Sequence, residues 1–257
     1  MLLSSAVRRL PVLLSLVVTP MLGRAVPAVL EQVGFVQVDT RGYEVGWEES
    51  EFQTWSEEDH ASAAAGSDTF AAEVGAGFRG WNSEAGGWAK QDSSRTAQGS
   101  GGWEVRSEGS VSAYVDHAYR GSGGTWAESR YVVKFELLQP ATYAALASLQ
   151  LDTSFEAHGA AYLKRGGGEM IFELEQDMPW GMEAAGVLAP GVYEVGGYVC
   201  ADVSAYTGYD SRGRGAYGLM FRLEPVAVPD GGGVAWMMAL GLVGLLWVKG
   251  GLKDLGT

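Results

Sequence analysis

The sequence predicts an all-β fold: an antiparallel two-sheet β-sandwich, jelly-roll-like in type. Apolar and polar residues alternate with period two in several short stretches, which is typical of strands that bury one face. Glycine-rich segments separate these stretches, and 38 of the 257 residues are glycine. Many short strands with frequent turn signals are typical of sandwiches. A β-helix is the alternative all-β architecture, but the sequence has no fixed repeat period.

The alternating stretches predict the strands in chain order. They lie at residues 33–38, 70–78, 110–118, 131–137 and 170–175. Val33, Phe35 and Gln37 share one face of the first stretch. Residues 142–151 are rich in alanine and leucine and could form a helix, but the preceding Pro140 favours a strand.

Two turns connect predicted strands in the second half of the chain. Arg165 and the three glycines after it predict a hairpin loop between residues 160–164 and 169–175. Residues 188–191 (Leu-Ala-Pro-Gly) predict a turn into a strand over 192–203, and residues 216–224 form the last predicted strand.

Residues 40–109 show weaker patterning. Residues 48–59 form an acidic patch, residues 56–67 predict a short helix or a solvated loop, and residues 80–102 predict long loops carrying Trp81 and Trp88. No linker isolates this region, so we expect it to supply edge strands and insertions of the same sandwich.

The N-terminal residues 1–25 predict a secretory signal peptide. Arg8 and Arg9 precede an apolar run over 10–22, and a small-x-small site ends at Ala25. Cleavage is expected after Ala25, or alternatively after Ala28. An uncleaved anchor is the other interpretation.

The C-terminal residues predict a short membrane helix with a weakly basic tail. Residues 234–248 carry no charge, and with the preceding glycines the run approaches the length of about 20 residues that a bilayer requires. Trp236 and Trp247 lie near its ends, where indole rings favour the membrane interface. Lys249 and Lys253 predict a cytoplasmic tail. A buried core helix is the alternative.

The segment before this helix reads Val228-Pro229-Asp230-Gly231-Gly232. Together with the helix and the basic end it resembles the sorting signals of the PEP-CTERM class, in their VPDSG-type variant. Gly231 stands where that motif has serine, and two lysines replace the usual arginine cluster. The resemblance covers about the last 30 residues.

This resemblance implies an exported protein of a Gram-negative host with an exopolysaccharide or biofilm programme. The implied partners are the export translocon, signal peptidase and an exosortase-like membrane protease that processes the motif. The expected organisation is a signal peptide (1–25), an exported sandwich domain (26–227) and a sorting signal (228–257).

Composition restricts the partners of the exported part. The chain has 31 acidic and 18 basic residues, a formal charge of −13, and removing the three arginines of residues 1–25 takes it to −16. Such a charge disfavours binding of nucleic acid.

Cys200 is the single cysteine, which excludes an internal disulfide. We expect a buried, inert thiol there, with an intermolecular bridge as the alternative.

Motifs for catalysis or metal binding are missing. His60, His117 and His158 show no zinc-ligand spacing, and no nucleophile-elbow or P-loop motif occurs. The sequence therefore predicts no catalytic residues, no cofactor and no metal site. A Ca²⁺ site built from Asp177, Asp202 and Asp210 is a weaker alternative.

The tryptophans leave two functions open. In the exported part they are expected to fill the core and loop bases, although exposed ones could stack on sugars; they are Trp47, Trp55, Trp81, Trp88, Trp103, Trp126 and Trp180. The first hypothesis is a non-enzymatic surface or matrix protein. Its helix anchors it in the membrane before processing, and it is then located at the cell surface or in the extracellular matrix. Its expected partner there is polysaccharide. The alternative is an exported carbohydrate-binding or glycan-degrading module.

Overall fold

The computed structural model describes residues 26–45, 52–63, 67–81, 83–99, 101–117, 121–152, 156–175, 181–206 and 210–226. The predicted signal peptide and sorting signal lie outside these residues. Within these ranges the regular structure is entirely β, and no helix that could cross a bilayer occurs.

Twelve strands form the described part of the chain. They are β1 (Ala28–Val45), β2 (Phe52–Ser62), β3 (Thr69–Arg79), β4 (Ser83–Ala97), β5 (Trp103–His117), β6 (Gly121–Leu137), β7 (Ala141–Leu151), β8 (Ala157–Arg165), β9 (Met170–Glu175), β10 (Met182–Leu188), β11 (Gly191–Tyr206) and β12 (Ser211–Pro225).

The strands make two six-stranded sheets that pack face to face. Sheet A has the order β2-β1-β6-β11-β8-β9, and sheet B has the order β10-β7-β12-β5-β4-β3. Every pairing is antiparallel. The predicted all-β sandwich of two antiparallel sheets is confirmed.

The pairing of the last eight strands is nested. β5 pairs with β12, β6 with β11, β7 with β10 and β8 with β9. The chain thus forms a double-stranded ribbon that passes alternately between the two sheets. β1 and β2 extend sheet A beyond β6, while β4 and β3 extend sheet B beyond β5.

One hydrophobic core lies between the sheets. The predicted alternation in residues 131–137 is confirmed, because Tyr131, Val133, Phe135 and Leu137 all point inward. Phe135 is the centre of an aromatic cluster. Its ring centroid lies 5.0 Å from that of Trp103 in a T-shaped contact. It lies 5.6 Å from the ring centroid of Tyr193 in a stacked contact. Such pairs add about 1 kcal/mol each beyond the area that they bury.

A buried polar network joins the two sheets beside this core. Gln91 Nε2 donates to Ser107 Oγ at 2.9 Å, and Ser129 Oγ of the opposite sheet donates to Gln91 Oε1 at 2.6 Å. The Tyr217 hydroxyl donates to the same Gln91 oxygen at 3.0 Å and lies 2.9 Å from Ser107 Oγ. Because every member has a partner, the network fixes how the sheets align instead of weakening the core.

Several finer predictions are also confirmed. Residues 142–151 belong to β7, and the turn after Arg165 joins β8 to β9, with Gly167 and Gly168 at φ of 101° and 94°. Leu188 ends β10 and Gly191 begins β11. The Tyr193 hydroxyl donates to the Ala189 carbonyl at 2.7 Å, which holds that turn against the strand.

The prediction of a short helix or solvated loop over residues 56–67 is wrong for residues 56–62. These residues belong to β2, which pairs with β1 along its whole length. Its carboxylates explain the polar sequence, since they bind the edge strand of the other sheet. Glu57 Oε2 accepts from the Gly77 N–H at 2.9 Å, and Asp59 Oδ2 accepts from Gly75 N–H at 3.3 Å. Unpaired edge groups are thereby satisfied.

The prediction of long loops over residues 80–102 is also wrong. β4 fills most of this range and pairs with β3 on one side and β5 on the other. Its inward positions are small or polar, namely Ala85, Ala89, Gln91 and Ser93. The apolar alternation that marks a strand is therefore missing from the sequence.

Candidate functional site on the outer face of sheet B

The side of sheet B that faces away from sheet A carries a long shallow depression, here named the sheet B groove. Three adjoining hollows of about 590, 440 and 440 Å³ form it and share lining residues with one another. The residues that define it lie on β4, β5, β7, β10 and β12: Lys90, Asp92, Glu104, Arg106, Glu108, Ser110, Ala144, Leu146, Ser148, Gln150, Glu183, Ala216, Gly218, Met220 and Arg222.

Small residues on neighbouring strands give this groove its floor. Ser148 and Gly218 lie opposite each other in the register, and Ala216 is two residues away on the same strand. A Cβ atom on Gly218 would lie 2.8 Å from Ser148 Oγ, so a larger residue there would fill the groove. Leu146 and Met220 form an exposed apolar patch on the same floor.

A buried carboxylate holds the arginines at one end of the groove. Glu104 Oε1 accepts from Arg106 Nε at 2.7 Å, and Arg222 Nε lies 3.5 Å from Glu104 Oε2. The Glu104 side chain is only 9% exposed, whereas both arginines are more than half exposed. The guanidinium groups are thus oriented by a fixed partner and still face the groove.

Two aromatic side chains continue this face beyond the groove. Trp88 is 42% exposed and lies between Gly75 of β3 and Ser112 of β5 in the register. Tyr114 pairs with Gly86, and a Cβ atom on that glycine would lie 3.2 Å from the Tyr114 hydroxyl. We name Trp88 and Tyr114 the aromatic platform.

The Tyr114 ring is held in place by a hydrogen bond. Its hydroxyl donates to Glu84 Oε1 at 3.0 Å. Burial, followed by this bond and the charge of Glu84, raises the pKa of Tyr114 above its ordinary value. The hydroxyl therefore stays protonated, which favours a fixed ring beside the exposed indole.

An acidic pair marks the far end of the same face. Asp116 and Asp210 are hydrogen-bonded to each other, and the pKa of Asp116 is raised by burial first and by Asp210 second. Glycosidases hold their catalytic carboxyls about 5–9.5 Å apart to admit the sugar or a water, so this pair does not have the spacing of a hydrolytic site.

Two of the three residues considered for Ca²⁺ lie within the described residues. Asp202 lies on β11 in sheet A, Asp210 lies beside β12 in sheet B, and Asp177 is outside the described residues. Across the ranges that the structure describes, no cluster of three or more His, Cys, Asp or Glu side chains could hold a metal ion. Because Asp177 lies outside these ranges, a joint site of the three aspartates stays a hypothesis from the sequence.

Cys200 is buried on β11, as expected. It pairs with Glu128 of β6 and His158 of β8 in the register. Burial, and then the charge of Glu128, raises the pKa of the Cys200 thiol to about 12. The thiolate is the reactive form, so this environment favours an inert thiol.

The tryptophans divide between the core and the surface. Trp55 and Trp103 are buried, which confirms the core expectation for these two, but Trp81 and Trp88 are exposed, so that expectation is wrong for them. Trp126 is half-buried, and Trp47 and Trp180 lie outside the described residues. Alternation in β4 could have revealed Trp88. Trp88 lies on the same face of the strand as Lys90, and the next residue, Ala89, lies on the opposite, buried face.

The predicted targeting residues lie outside the described residues. They are Ala25 at the predicted cleavage site, the motif Val228, Pro229, Asp230, Gly231 and Gly232, and the tail residues Trp236, Trp247, Lys249 and Lys253.

Comparisons with known proteins give no family. No protein-family model matches the chain, and no curated protein matches it. Among solved structures, a chain of the infectious bursal disease virus VP2 subviral particle aligns with 79% of this chain at 7% identity and a TM-score of 0.21. The alignment spans 58% of the viral chain, and at this TM-score it carries no argument.

Proposed function

We propose that this chain is an exported, non-enzymatic surface or matrix protein whose sandwich binds extracellular polysaccharide through the outer face of sheet B. The observation that carries the proposal is one continuous outer face. The exposed Trp88 and the half-buried Tyr114 lie at one end, and a groove of small residues with polar walls lies at the other.

The chemistry of this face suits sugars. A pyranose ring presents a C–H face that packs on an indole, and its hydroxyl groups need hydrogen-bond partners around the rim. Lys90, Ser110 and Gln150 supply such groups beside the floor of the groove. From Glu104 to Tyr114 the outer face follows ten residues of β5, which is roughly 34 Å. That length accommodates several sugar units of a chain.

A jelly-roll sandwich is the architecture that we assign to the domain. The nested pairing of β5–β8 with β9–β12 supports it, because a double-stranded ribbon wrapped across two sheets is the defining connectivity of that fold. The fold alone does not define a function, so the proposal depends on the face and its side chains.

Export and sorting are proposed from the sequence. Residues 1–25 have the layout of a signal peptide, and Val228 to Gly232 with the following apolar run resemble a VPDSG-type sorting signal. On this proposal the translocon and signal peptidase act first, and an exosortase-like membrane protease then processes the tail. The domain is afterwards held at the cell surface or in the matrix.

Two carboxylate arrangements on this face favour binding over glycan hydrolysis. Glu104 is engaged by Arg106 and Arg222, and Asp116 is in contact with Asp210. Neither arrangement has two carboxyls spaced across a sugar position. We therefore propose no catalytic residue and no cofactor on this face.

Replacing Trp88 by alanine is expected to weaken polysaccharide binding about tenfold, since the stacked contact is worth about 1 kcal/mol or somewhat more. The measurement is calorimetric titration of the purified full chain in mild detergent with a panel of bacterial polysaccharides. Trp81→Ala is the matched control, because Trp81 is exposed but lies in the turn between β3 and β4. A Trp88 variant that binds as tightly as the Trp81 variant contradicts the proposed site, and binding of no polysaccharide by the unchanged chain contradicts the function.

Replacing Pro229 and Asp230 together by alanine is expected to leave the fold intact and to block processing of the tail. Proline fixes φ and biases Val228 to an extended conformation, which a protease needs in its substrate. The measurement is intact-mass analysis of the protein recovered from the membrane and the medium of its native host, which shows where the processed chain begins and ends. The unchanged chain should begin at Val26 or Val29 and end between Val228 and Gly233. Equal processing of the double variant would show that these two residues do not form a sorting motif.

A further inference from the structure

Two arginines of β12, Arg212 and Arg214, lie beside the aromatic platform. Among the residues that the structure describes, neither Arg212 nor Arg214 lies within ion-pair distance of a carboxylate. Arg222, on the same strand and the same face, is close to two carboxylates. That no described carboxylate pairs with Arg212 or Arg214 is notable, because acidic residues outnumber basic ones by 31 to 18 in this chain.

The register places Arg214 in line with Trp88. Arg214 pairs with Ser112, and Ser112 pairs with Trp88, so the three residues form one row across β12, β5 and β4. Neighbouring strands are about 4.8 Å apart, which puts the two outer residues roughly 10 Å apart at their backbones. The side chain between them is a small serine, so nothing large separates the guanidinium from the indole.

The other charged residues of this face restrict where an anion could bind. Lys90 is two residues from Trp88 on the same strand and pairs weakly with Glu73, with 3.9 Å between Nζ and Oε2. Burial and the negative charge of Asp210 raise the pKa of Asp116, while Arg212 is close enough for its positive charge to lower it. Asp152 follows β7 on the other side of Arg214, where its N–H donates to the Arg214 carbonyl at 2.9 Å. The end of the face at Asp116 is acidic, so we place the anion at the Arg214 side chain, between that residue and Trp88.

We infer that the ligand of this face is an acidic polysaccharide, with the carboxylate of a uronate unit bound by Arg214 while a sugar ring stacks on Trp88. The inference rests on the polysaccharide binding proposed above and names its substrate class. The planar guanidinium matches a carboxylate through two parallel N–H···O bonds. Stacking on the indole requires a ring, which distinguishes a sugar acid from a small inorganic anion.

This arrangement also explains how an acidic domain can hold an acidic polymer. The overall negative charge repels polyanions at long range, but salt screens that repulsion beyond about 8–10 Å at physiological ionic strength. A short contact with an unpaired arginine acts within that distance. Affinity for the uronate therefore depends on Arg214 and not on the net charge.

The test compares polygalacturonate with its carboxyl-reduced form, in which an uncharged hydroxymethyl group replaces each carboxylate. Both are titrated into the purified full chain in mild detergent at about 150 mM salt, close to physiological ionic strength. We expect the charged polymer to bind at least tenfold more tightly than the reduced one. Arg214→Gln should abolish that preference without changing the affinity for the reduced polymer, and Arg214→Lys should restore only part of it because lysine lacks the fork.

Arg41→Gln is the control, since Arg41 lies on β1 of sheet A and forms an ion pair with Asp39. It should bind both polymers like the unchanged chain. A thermal melt of each variant confirms that it is folded. Equal affinity of the unchanged chain for the charged and reduced polymers overturns the inference and leaves the proposed function standing. An undiminished preference in Arg214→Gln overturns the assignment of the residue. If the chain binds neither of these polymers nor any other polysaccharide, the proposed function fails and the inference fails with it.

Discussion

Truncation of Tyr217 to alanine is expected to lower the free energy of unfolding by about 4 kcal/mol. The ring is 3% exposed and fills the space beside two glycines, since a Cβ atom on either Gly109 or Gly197 would collide with it. Removing the ring leaves a cavity, and it removes a partner from Gln91 and Ser107 in the buried network. A domain is typically stable by about 5–15 kcal/mol, so this loss is a large fraction of the total.

Tyr217→Phe separates the contribution of the ring from that of the hydroxyl. It keeps the ring and removes only the hydroxyl, so we expect a loss of about 1–2 kcal/mol from the unsatisfied network. Urea denaturation of both variants, followed by circular dichroism, gives the difference. Equal losses for the two variants would contradict the view that the packed ring stabilises the domain more than the hydroxyl does.

Replacement of Gly102 by alanine is expected to destabilise the sandwich by about 3 kcal/mol. Gly102 is buried where β5 begins, and the added Cβ would lie 3.0 Å from the carbonyl carbon of Leu223 and 3.1 Å from the Glu224 Cα, with the Leu223 carbonyl oxygen closer still. These are backbone atoms of the neighbouring strand, and they cannot rotate away as a side chain could.

Gly99 offers the control in the same turn, because a Cβ atom there would meet nothing within 4 Å. Gly99→Ala should stay within about 0.5 kcal/mol of the unchanged protein. Both changes are compared by urea denaturation at one temperature. A Gly102 variant as stable as the Gly99 variant would mean that the two strands can separate at this point without cost.

Much of the fold follows from local pattern. Residues 131–137 and 70–78 alternate apolar and polar side chains, and each range lies within a strand with its apolar side toward the core. The turn at residues 188–191 was predictable because Pro190 fixes φ, and Gly191 permits the positive φ of 153° that other residues avoid. These signals depend on the residue and its immediate neighbours, which a sequence displays directly.

The missed strands depend on partners far along the chain. In β4, buried Gln91 is stabilised by Ser107, Ser129 and Tyr217 from three other strands. In β2, Glu57 is stabilised by a backbone N–H of β3. Polar residues in such positions predict loops when they are considered alone, since their hydrogen bonds form only in the assembled sandwich.

The candidate site was only partly predictable for the same reason. The sequence identified tryptophans and a possible affinity for sugars, but it placed Trp88 in a loop. Its exposure on a flat face follows from Gly75 and Ser112 in neighbouring strands. The alignment with Arg214 requires the register of three strands, two of which are about a hundred residues apart in the chain.

Hydroxyl-radical footprinting of the full chain, with and without bound polymer, tests most directly whether polysaccharide binds the outer face of sheet B. Trp88 and Met220 are exposed on that face, while Trp81 and Tyr43 are exposed elsewhere. We expect the polymer to protect Trp88 and Met220 from oxidation at least severalfold and to leave Trp81 and Tyr43 unchanged. Protection of Tyr43 or Trp81 in place of Trp88 would contradict binding at this face.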